Sequence, residues 1–224
     1  MAKKIKKPKT ASLIHERNYQ NMGCNIIFGI DEAGRGPWAG PVSAGAVALP
    51  LNRHDLNKAL AGVRDSKEMT PRQRESLVDT IKEVALAWGV GHATAKEIDK
   101  YGILPATKKA MKRALQTAMD TSNLKPDCLF LDYMLWPEKQ DIPQVSIVSG
   151  DKHSLSIACA SVLAKVWRDE FMMELDAEFP QYGFAKHKGY GTQLHRDALE
   201  KYGPIEFHRQ YYKPIQMLLK TDDK

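Results

Sequence analysis

The stretch that decides the fold is FGIDEAGRGPWAGPV, residues 28–42. It begins as an apolar run, meets the adjacent acids Asp31 and Glu32, and continues into a glycine-rich turn. A short apolar run of this kind predicts a buried strand, here over residues 26–31, that ends at its acid. The segment VSAGAVAL, residues 42–49, predicts a second strand after the turn. Two carboxylates are therefore expected at a strand end, beside a backbone that carries few side chains.

The rest of the chain predicts a sheet covered by helices. Further strands are expected over 84–93, 127–135 and 144–149, because these segments are short and apolar. Helices are expected over residues 71–83, where Thr70 and Gln73 form a capping box, and over 105–119, 154–178, 192–201 and 205–219. This order predicts an α/β fold with a mixed five-stranded sheet flanked by helices and a helical C-terminal segment.

Length and charge limit the organisation and the partners. The chain has 224 residues, which predicts one domain over 25–224 preceded by a flexible basic arm over 1–24. The net charge of +6 favours a polyanionic partner such as nucleic acid. A solubilising role for the N-terminal lysines explains the same excess. These residues are Lys3, Lys4, Lys6, Lys7 and Lys9.

Segments that would direct the chain to a membrane, or bind zinc through cysteines, are not found in the sequence. No window approaches the length of a membrane span, and the N-terminus lacks the apolar core of a signal peptide. The three cysteines are widely spaced, which favours reduced thiols over a disulfide framework. We therefore expect a cytoplasmic protein that has no membrane partner and acts as a monomer.

Three acids occupy similar positions in the predicted sheet. Asp31 ends the first strand, Asp132 lies at the edge of a later one, and Asp151 follows another by two residues. Brought together with Glu32, they would raise one another's pKa unless a cation neutralised them, and an all-oxygen cluster favours Mg²⁺ or Mn²⁺. Such ions promote phosphodiester hydrolysis. Taken singly, each acid also fits a cap or a turn, and Asp151 fits a helix N-cap.

The string GIDEAGRGPWAGPV closely resembles the first motif of the type 2 ribonucleases H, the ribonuclease HII family. Four further segments are similar to family motifs and follow in the family's order. They are DSKEMT (65–70), LDYM (131–134), SGDKHSLSIACASVLAKVWRD (149–169) and YGFAKHKGYGT (182–192). The resemblance extends over about residues 26–203 and implies a ribonuclease H-like fold.

The resemblance implies an activity and a set of carboxylates that carry it. Asp31, Glu32, Asp132 and Asp151 would be the catalytic carboxylates and would bind Mn²⁺ or Mg²⁺. The family hydrolyses the RNA strand of RNA/DNA hybrids. It also cuts on the 5′ side of a single ribonucleotide in duplex DNA, leaving 3′-hydroxyl and 5′-phosphate ends. The expected substrates are therefore RNA/DNA hybrids and ribonucleotide-containing duplex DNA.

The resemblance also implies how the ribose is recognised. Gly34, Arg35, Gly36 and Tyr190 would read the 2′-hydroxyl, since a glycine backbone permits close approach to a sugar. Lys67 is expected to contact a phosphate or to steady the glycine turn. Without the motifs, Tyr190 would be interpreted as a core tyrosine and Lys67 as a surface lysine.

Two features remain open at this point. After its third acid the family usually carries a small residue, whereas here Asp132 is followed by YMLW, residues 133–136. This segment predicts either additional core or, at Trp136, a surface that touches the duplex. The second feature is a set of lysines on one face of a predicted helix, which indicates either a phosphate-binding stripe or a solvated face. They are Lys108, Lys109 and Lys112.

Two other functions compete with the ribonuclease HII hypothesis. The ribonuclease HIII relatives prefer longer RNA tracts and carry an additional N-terminal domain, for which the roughly 25 residues before the first strand are too few. A catalytically inactive nucleic-acid-binding protein fits the basic composition, but the presence of all four acids argues against it.

Overall fold

The computed structural model describes residues 10–136 and 141–219. Its centre is a sheet whose strands are β1 (Ile27–Ala33), β2 (Val42–Ala48), β3 (Ala87–Ala93), β4 (Cys128–Asp132) and β5 (Gln144–Ile147). Their spatial order is β3-β2-β1-β4-β5. β1 and β2, and β2 and β3, are antiparallel, whereas β1 and β4, and β4 and β5, are parallel. The mixed five-stranded sheet is therefore confirmed.

Helices surround this sheet and dominate the C-terminal third. The α-helices are α1 (Ile14–Asn21), α2 (Leu56–Ala59), α3 (Pro71–Val84), α4 (Ala95–Tyr101), α5 (Ile103–Ser122), α6 (Gly150–His153), α7 (Leu155–Glu178), α8 (Phe184–His187), α9 (Gln193–Tyr202) and α10 (Lys213–Leu219). The predicted capping box at the start of α3 is confirmed, because Thr70 and Gln73 each bond the other's backbone amide.

Two long helices cover the two faces of the sheet. α7 packs on β1 and β2, and α5 packs on β2 and β3 from the other side. Glycines let α7 approach closely: a Cβ atom at Gly29 would lie 2.3 Å from the Ile157 backbone nitrogen, and one at Gly45 would lie 2.2 Å from the Ala160 carbonyl oxygen. Because α7 rests directly on the strand backbone, it fixes the position of β1, the strand that carries Asp31.

The predicted flexible arm over residues 1–24 is corrected from residue 10 onward. Ala11 and Leu13 are buried, and α1 follows them. Glu16 of α1 is fully buried, and its Oε1 accepts hydrogen bonds from the Ser154 hydroxyl at 2.6 Å and the Ser156 amide at 2.9 Å. Since α1 buries a glutamate against serines, it lacks the apolar stripe that would have revealed it. The lysine run over residues 3–9 lies outside the described residues.

Several element boundaries also differ from expectation: β4 ends at Asp132 rather than near 135, β5 ends at Ile147 rather than near 149, and α5 extends to Ser122 rather than to 119. β3 begins at Ala87 rather than near 84, because α3 continues to Val84. α10 begins at Lys213 rather than near 205, because the preceding turn places the buried His208 and Arg209 against the rest of the fold. No helix in the described ranges is long and apolar enough to cross a membrane.

Candidate active site

Three of the predicted acids meet at the carboxyl ends of the parallel strands. β1 and β4 are parallel neighbours with Ile30 opposite Leu131, so Asp31 and Asp132 leave the sheet side by side. β5 lies next to β4, and α6, which follows β5, carries Asp151. Each of the three carboxylates offers an oxygen, and these oxygens all lie within 4.8 Å of one another. The parallel pairing thus assembles a three-carboxylate cluster from distant parts of the chain.

Glu32 lies beside this cluster rather than within it. The chain does not leave the pleat at Glu32, which still pairs with Ala44 in the ladder. Its side chain therefore leaves the strand on the face opposite to Asp31. Its carboxylate still interacts with the cluster, since Glu32 raises the pKa of Asp31 and Asp132 raises the pKa of Glu32. Oε1 is 3.1 Å from Arg35 Nη1, whereas Oε2 is buried without a hydrogen-bond partner among the described residues.

Burial and crowding disfavour negative charge here. Burial raises the pKa of Asp31 well above its usual value, and the neighbouring Glu32 and Asp132 raise it further. The pKa of Asp151 is raised to about 6 by burial and by Asp65 and Asp132. Burial also raises the pKa of Glu32. The acids are therefore held close together against their mutual repulsion.

These residues fit a hard divalent cation. The oxygens of the cluster are of the type that Mg²⁺ and Mn²⁺ prefer, and their separation allows them to share a ligand. The buried Glu32 Oε2 also has no protein donor to satisfy it among the described residues. A cation would provide the positive charge that this group of carboxylates needs.

Lys67 and Lys165 line a cleft that Glu32 also lines, next to the three-carboxylate cluster. Lys67 lies in the short helical turn Ser66–Glu68, which Asp65 caps by accepting a bond from the Lys67 amide at 2.8 Å. Partial burial disfavours the Lys67 cation, but Asp31 and Asp151 outweigh it, and the pKa of Lys67 is raised. Lys165 is held by Asp169 at 2.5 Å. The cleft therefore carries positive charge beside its acids, and sequence reasoning missed Asp65 and Lys165.

The glycine turn and Tyr190 form the rest of the cleft. Gly34 has φ +92°, and a Cβ atom there would lie 2.0 Å from Arg168 Nε, so only glycine fits. Gly36 is exposed, and its Cβ would contact only Tyr190, at 3.7 Å from Cε1. Tyr190 is 49% exposed, which excludes the core interpretation. A narrow opening thus separates Gly36 from the tyrosine ring.

Two buried arginines hold this turn, and sequence reasoning missed both. Arg209 is fully buried and donates to the carbonyl oxygens of Gly34 at 2.6 Å and Arg35 at 2.9 Å. Arg168 donates to those of Lys188 at 3.0 Å and Ala39 at 3.1 Å, and so links the turn to the Tyr190 loop. Their targets are carbonyl groups of the backbone, which no side-chain spacing in the sequence reveals.

Two buried histidines, His195 and His208, are hydrogen-bonded in series to the backbone of Tyr190. The Ile205 amide donates to His208 Nδ1 at 2.9 Å, so His208 Nε2 carries the proton and donates to His195 Nε2 at 3.0 Å. His195 Nδ1 then donates to the Tyr190 carbonyl oxygen at 3.0 Å. Burial lowers the pKa of His195 to about 4 and that of His208 to about 3. Both rings are therefore neutral supports of the loop at neutral pH.

The segment after Asp132 divides between core and surface. Trp136 is fully buried in the cluster beneath α5, so the core interpretation is confirmed for it and the duplex-contact interpretation is wrong. Tyr133 instead is 71% exposed and Leu135 is 48% exposed. Tyr133 has φ +65°, the left-handed conformation that a small residue adopts most easily. Where the sequence departs from the family pattern, the backbone at Tyr133 is therefore strained.

Comparison with known proteins agrees with this geometry. Residues 28–215 match the family model described as Ribonuclease HII. The chain is 47% identical over 203 residues to the Ribonuclease HII of Roseiflexus castenholzii, covering 89% of this chain and 87% of the relative.

Solved structures show the same fold. The ribonuclease H2 from Pyrococcus horikoshii OT3 superposes with a TM-score of 0.71 at 24% identity, covering 89% of this chain and 99% of that one. Bst-RNase HIII in complex with Mn²⁺ gives 0.66 at 17% identity, covering 90% of this chain and 71% of that one. The fold is therefore ribonuclease H-like, and the family match establishes that the chain belongs to the ribonuclease HII family of endoribonucleases.

Proposed function

We propose that this protein hydrolyses the RNA strand of RNA/DNA hybrids and cuts on the 5′ side of a single ribonucleotide in duplex DNA, leaving 3′-hydroxyl and 5′-phosphate ends. The observation that carries the proposal is the position of the three-carboxylate cluster beside a turn that faces Tyr190. Chemistry and sugar recognition would then occur at adjacent points of one cleft.

Asp31, Asp132 and Asp151 would hold Mg²⁺ or Mn²⁺, and Glu32 would complete the set of ligands through its unpaired oxygen. When bound, two such ions supply Lewis acidity to an in-line displacement at phosphorus. Lys67 remains protonated and can bind a phosphate oxygen on the open side of the cleft. Together these residues would position the scissile phosphate beside the three-carboxylate cluster.

The glycine turn would identify the ribonucleotide by its 2′-hydroxyl, the group that distinguishes RNA from DNA. Arg209 occupies the carbonyl groups of Gly34 and Arg35, whereas the amides of Arg35 and Gly36 have no partner among the described residues. These amides can donate to a hydroxyl that enters the opening between Gly36 and Tyr190. The tyrosine ring offers a flat apolar surface to the sugar.

Cleavage of three duplexes tests the proposal: all DNA, DNA with one ribonucleotide, and an RNA/DNA hybrid, each with Mg²⁺ or Mn²⁺. We expect cleavage of the last two only, with the single-ribonucleotide cut on its 5′ side. Asp31→Asn and Asp151→Asn should abolish it, whereas Asp79→Asn, an exposed acid on α3, should not. An intact single-ribonucleotide duplex would refute the specific activity, and cleavage of the hybrid alone would indicate ribonuclease HIII-like selectivity.

The assignment of Tyr190 is tested separately. Tyr190→Ala should lower activity on the single-ribonucleotide duplex, because the sugar loses its packing surface. Mn²⁺ binding measured by calorimetry should remain close to wild type, since the carboxylates are untouched. Loss of Mn²⁺ binding would count against a role for Tyr190 in recognition.

A further inference from the structure

A second groove lies directly beside the candidate active site. One wall is α5, with Leu104, Lys108 and Lys112, and the other is the segment Tyr133–Leu135 that follows β4. Arg35 of the glycine turn lines both the cleft and this groove. The groove is therefore continuous with the surface at which the ribonucleotide would be read.

The wall after β4 presents apolar side chains to solvent from a fixed backbone. Tyr133 and Leu135 are exposed, while Trp136 is fully buried and anchors the segment. The Gln144 side chain accepts a bond from the Trp136 amide at 2.7 Å and donates to its carbonyl oxygen at 2.9 Å. Exposed apolar side chains held in this way indicate a contact surface.

Tyr133 carries a conformational cost that packing does not explain. Its φ of +65° is unfavourable for a bulky residue, and glycine would adopt it freely. The ring is exposed, so burial does not compensate. A strained residue at the edge of a site is a sign of function.

The opposite wall is positively charged. Lys108 and Lys112 are one helical turn apart on α5, and Lys109 beside them pairs with Glu97 at 2.6 Å. With Arg35, which also pairs with Glu32, they give the groove four basic side chains, and none of the described residues that line it is an acid. Charge of one sign facing an apolar wall fits a nucleic-acid backbone, whose phosphates would meet the lysines while its sugars pack on the ring.

We propose that this groove holds the substrate duplex to one side of the ribonucleotide and so extends the footprint beyond the cleavage site. The inference rests on the proposed function, because it takes the cleft as the position of the ribonucleotide. Tyr133 and Leu135 would contact the sugars, and Lys108 and Lys112 would contact successive phosphates. The lysine stripe seen in the sequence would then be a phosphate-binding surface rather than a solvated face.

Fluorescence anisotropy with single-ribonucleotide duplexes tests this surface. The binding is measured without Mg²⁺ and Mn²⁺, so that the duplex stays intact, and either flank is shortened in turn. We expect wild type to lose about tenfold in affinity when one particular flank is shortened, and little for the other, as expected if two phosphate contacts are lost. Equal dependence on both flanks, or on neither, would overturn the proposal.

Variants assign the effect to the groove. The double substitution Lys108→Gln and Lys112→Gln should weaken binding of the long duplex about tenfold and reduce the slope of log affinity against log salt by roughly 2, about one per phosphate contact. It should bind the short-flank duplex as wild type does. Lys58→Gln, on α2 and the opposite face of the sheet, is the control and should change neither. An unchanged salt slope in the double variant would exclude phosphate contacts at this surface.

Tyr133→Gly separates contact from folding. It removes the ring and relieves the left-handed strain, so the melting temperature should stay equal or rise while affinity for the long duplex falls severalfold. Unchanged affinity would remove Tyr133 from the proposed surface. A wild-type protein that shows the flank dependence but cuts none of the duplexes when Mg²⁺ or Mn²⁺ is added would retain the groove and refute the proposed function.

Discussion

The three-carboxylate cluster and the glycine turn with Tyr190 are built in opposite ways. In the cluster, the fold brings Asp31, Asp132 and Asp151 together although burial and like charge oppose it. Around the glycine turn, the Arg168 and Arg209 guanidinium groups saturate backbone carbonyls, and neutral histidines support Tyr190.

This difference separates function from stability. Residues that lower the free energy of unfolding are expected at sites that need a ligand, and replacing them stabilises the fold. Residues that satisfy buried backbone groups stabilise the fold, and their removal leaves those groups unpaired. Substitutions on the two sides should therefore change activity and stability in different combinations.

The largest expected effect is at Asp31. Asp31→Asn should reduce cleavage on the order of 10³-fold or more, because it removes a proposed metal ligand beside the scissile phosphate. Since the folded-state pKa of Asp31 is raised, its ionised form costs folding free energy at pH 7. The free energy of unfolding without divalent ions should rise by about 1 kcal/mol. Denaturant titration and single-turnover assays measure both effects, and a marked loss of stability would contradict the proposed repulsion.

Arg209 should show the reverse combination. Arg209→Met removes the donor to the carbonyl groups of Gly34 and Gly40, whereas the Arg35 carbonyl keeps the Tyr212 hydroxyl as a donor. We expect the free energy of unfolding to fall by roughly 3 kcal/mol, with a parallel loss of activity as the turn loosens. Urea unfolding at pH 7 measures the change, and Arg72→Met, an exposed position on α3, is the control. Wild-type stability in the Arg209 variant would show that the turn is held by other contacts.

Gly36 should affect activity alone. Its Cβ would enter the opening toward Tyr190 and contact no other described side chain or backbone beyond its chain neighbours, so Gly36→Ala should fold normally. Cleavage of the single-ribonucleotide duplex should fall by about 10- to 100-fold, the range for losing one well-placed donor or its access. Comparing kcat/KM with the melting temperature tests this, and equal activity would place the ribose elsewhere.

The smallest expected effect concerns pH and the histidine chain. The folded-state pKa values of His195 and His208 lie below the unfolded value of about 6.5, so their contribution is present above that pH and is lost as pH falls toward 4. His208→Gln should make stability less sensitive to acid, by about 1 to 2 kcal/mol between pH 7 and pH 5. Thermal unfolding across this range measures the difference. An identical pH slope in both proteins would exclude the proposed neutral chain.

Much of the fold and part of the site followed from local sequence. The apolar runs that contain Asp31 and Asp132 predicted two strands correctly, because strand periodicity and turn residues are local signals. Their parallel pairing came from the structure alone. The capping box at Thr70 located α3 for the same reason. The shared position of Asp31, Asp132 and Asp151 at predicted strand ends was enough to suggest that these distant acids would meet.

What sequence reasoning missed depends on contacts between distant elements. Arg168 and Arg209 act through backbone carbonyl groups, and α1 is fixed by Glu16 against the start of α7, so neither leaves a periodic pattern. Glu32 lies beside the three-carboxylate cluster because the ladder of β1 continues through it, a detail that only the strand pairing reveals. The strain at Tyr133 is likewise visible only in the backbone.

The coupling of cleavage to a single 2′-hydroxyl is tested most directly by changing that group alone. Duplexes that differ only at one sugar, as ribose, deoxyribose or 2′-O-methyl ribose, are incubated with the wild-type protein and Mn²⁺, and the cut site is mapped. Cleavage should occur only with ribose and on its 5′ side, because deoxyribose lacks the hydroxyl that the Arg35 and Gly36 amides would bind and a 2′-O-methyl group can no longer donate from this position. Equal cleavage of the deoxyribose duplex would contradict recognition by the glycine turn.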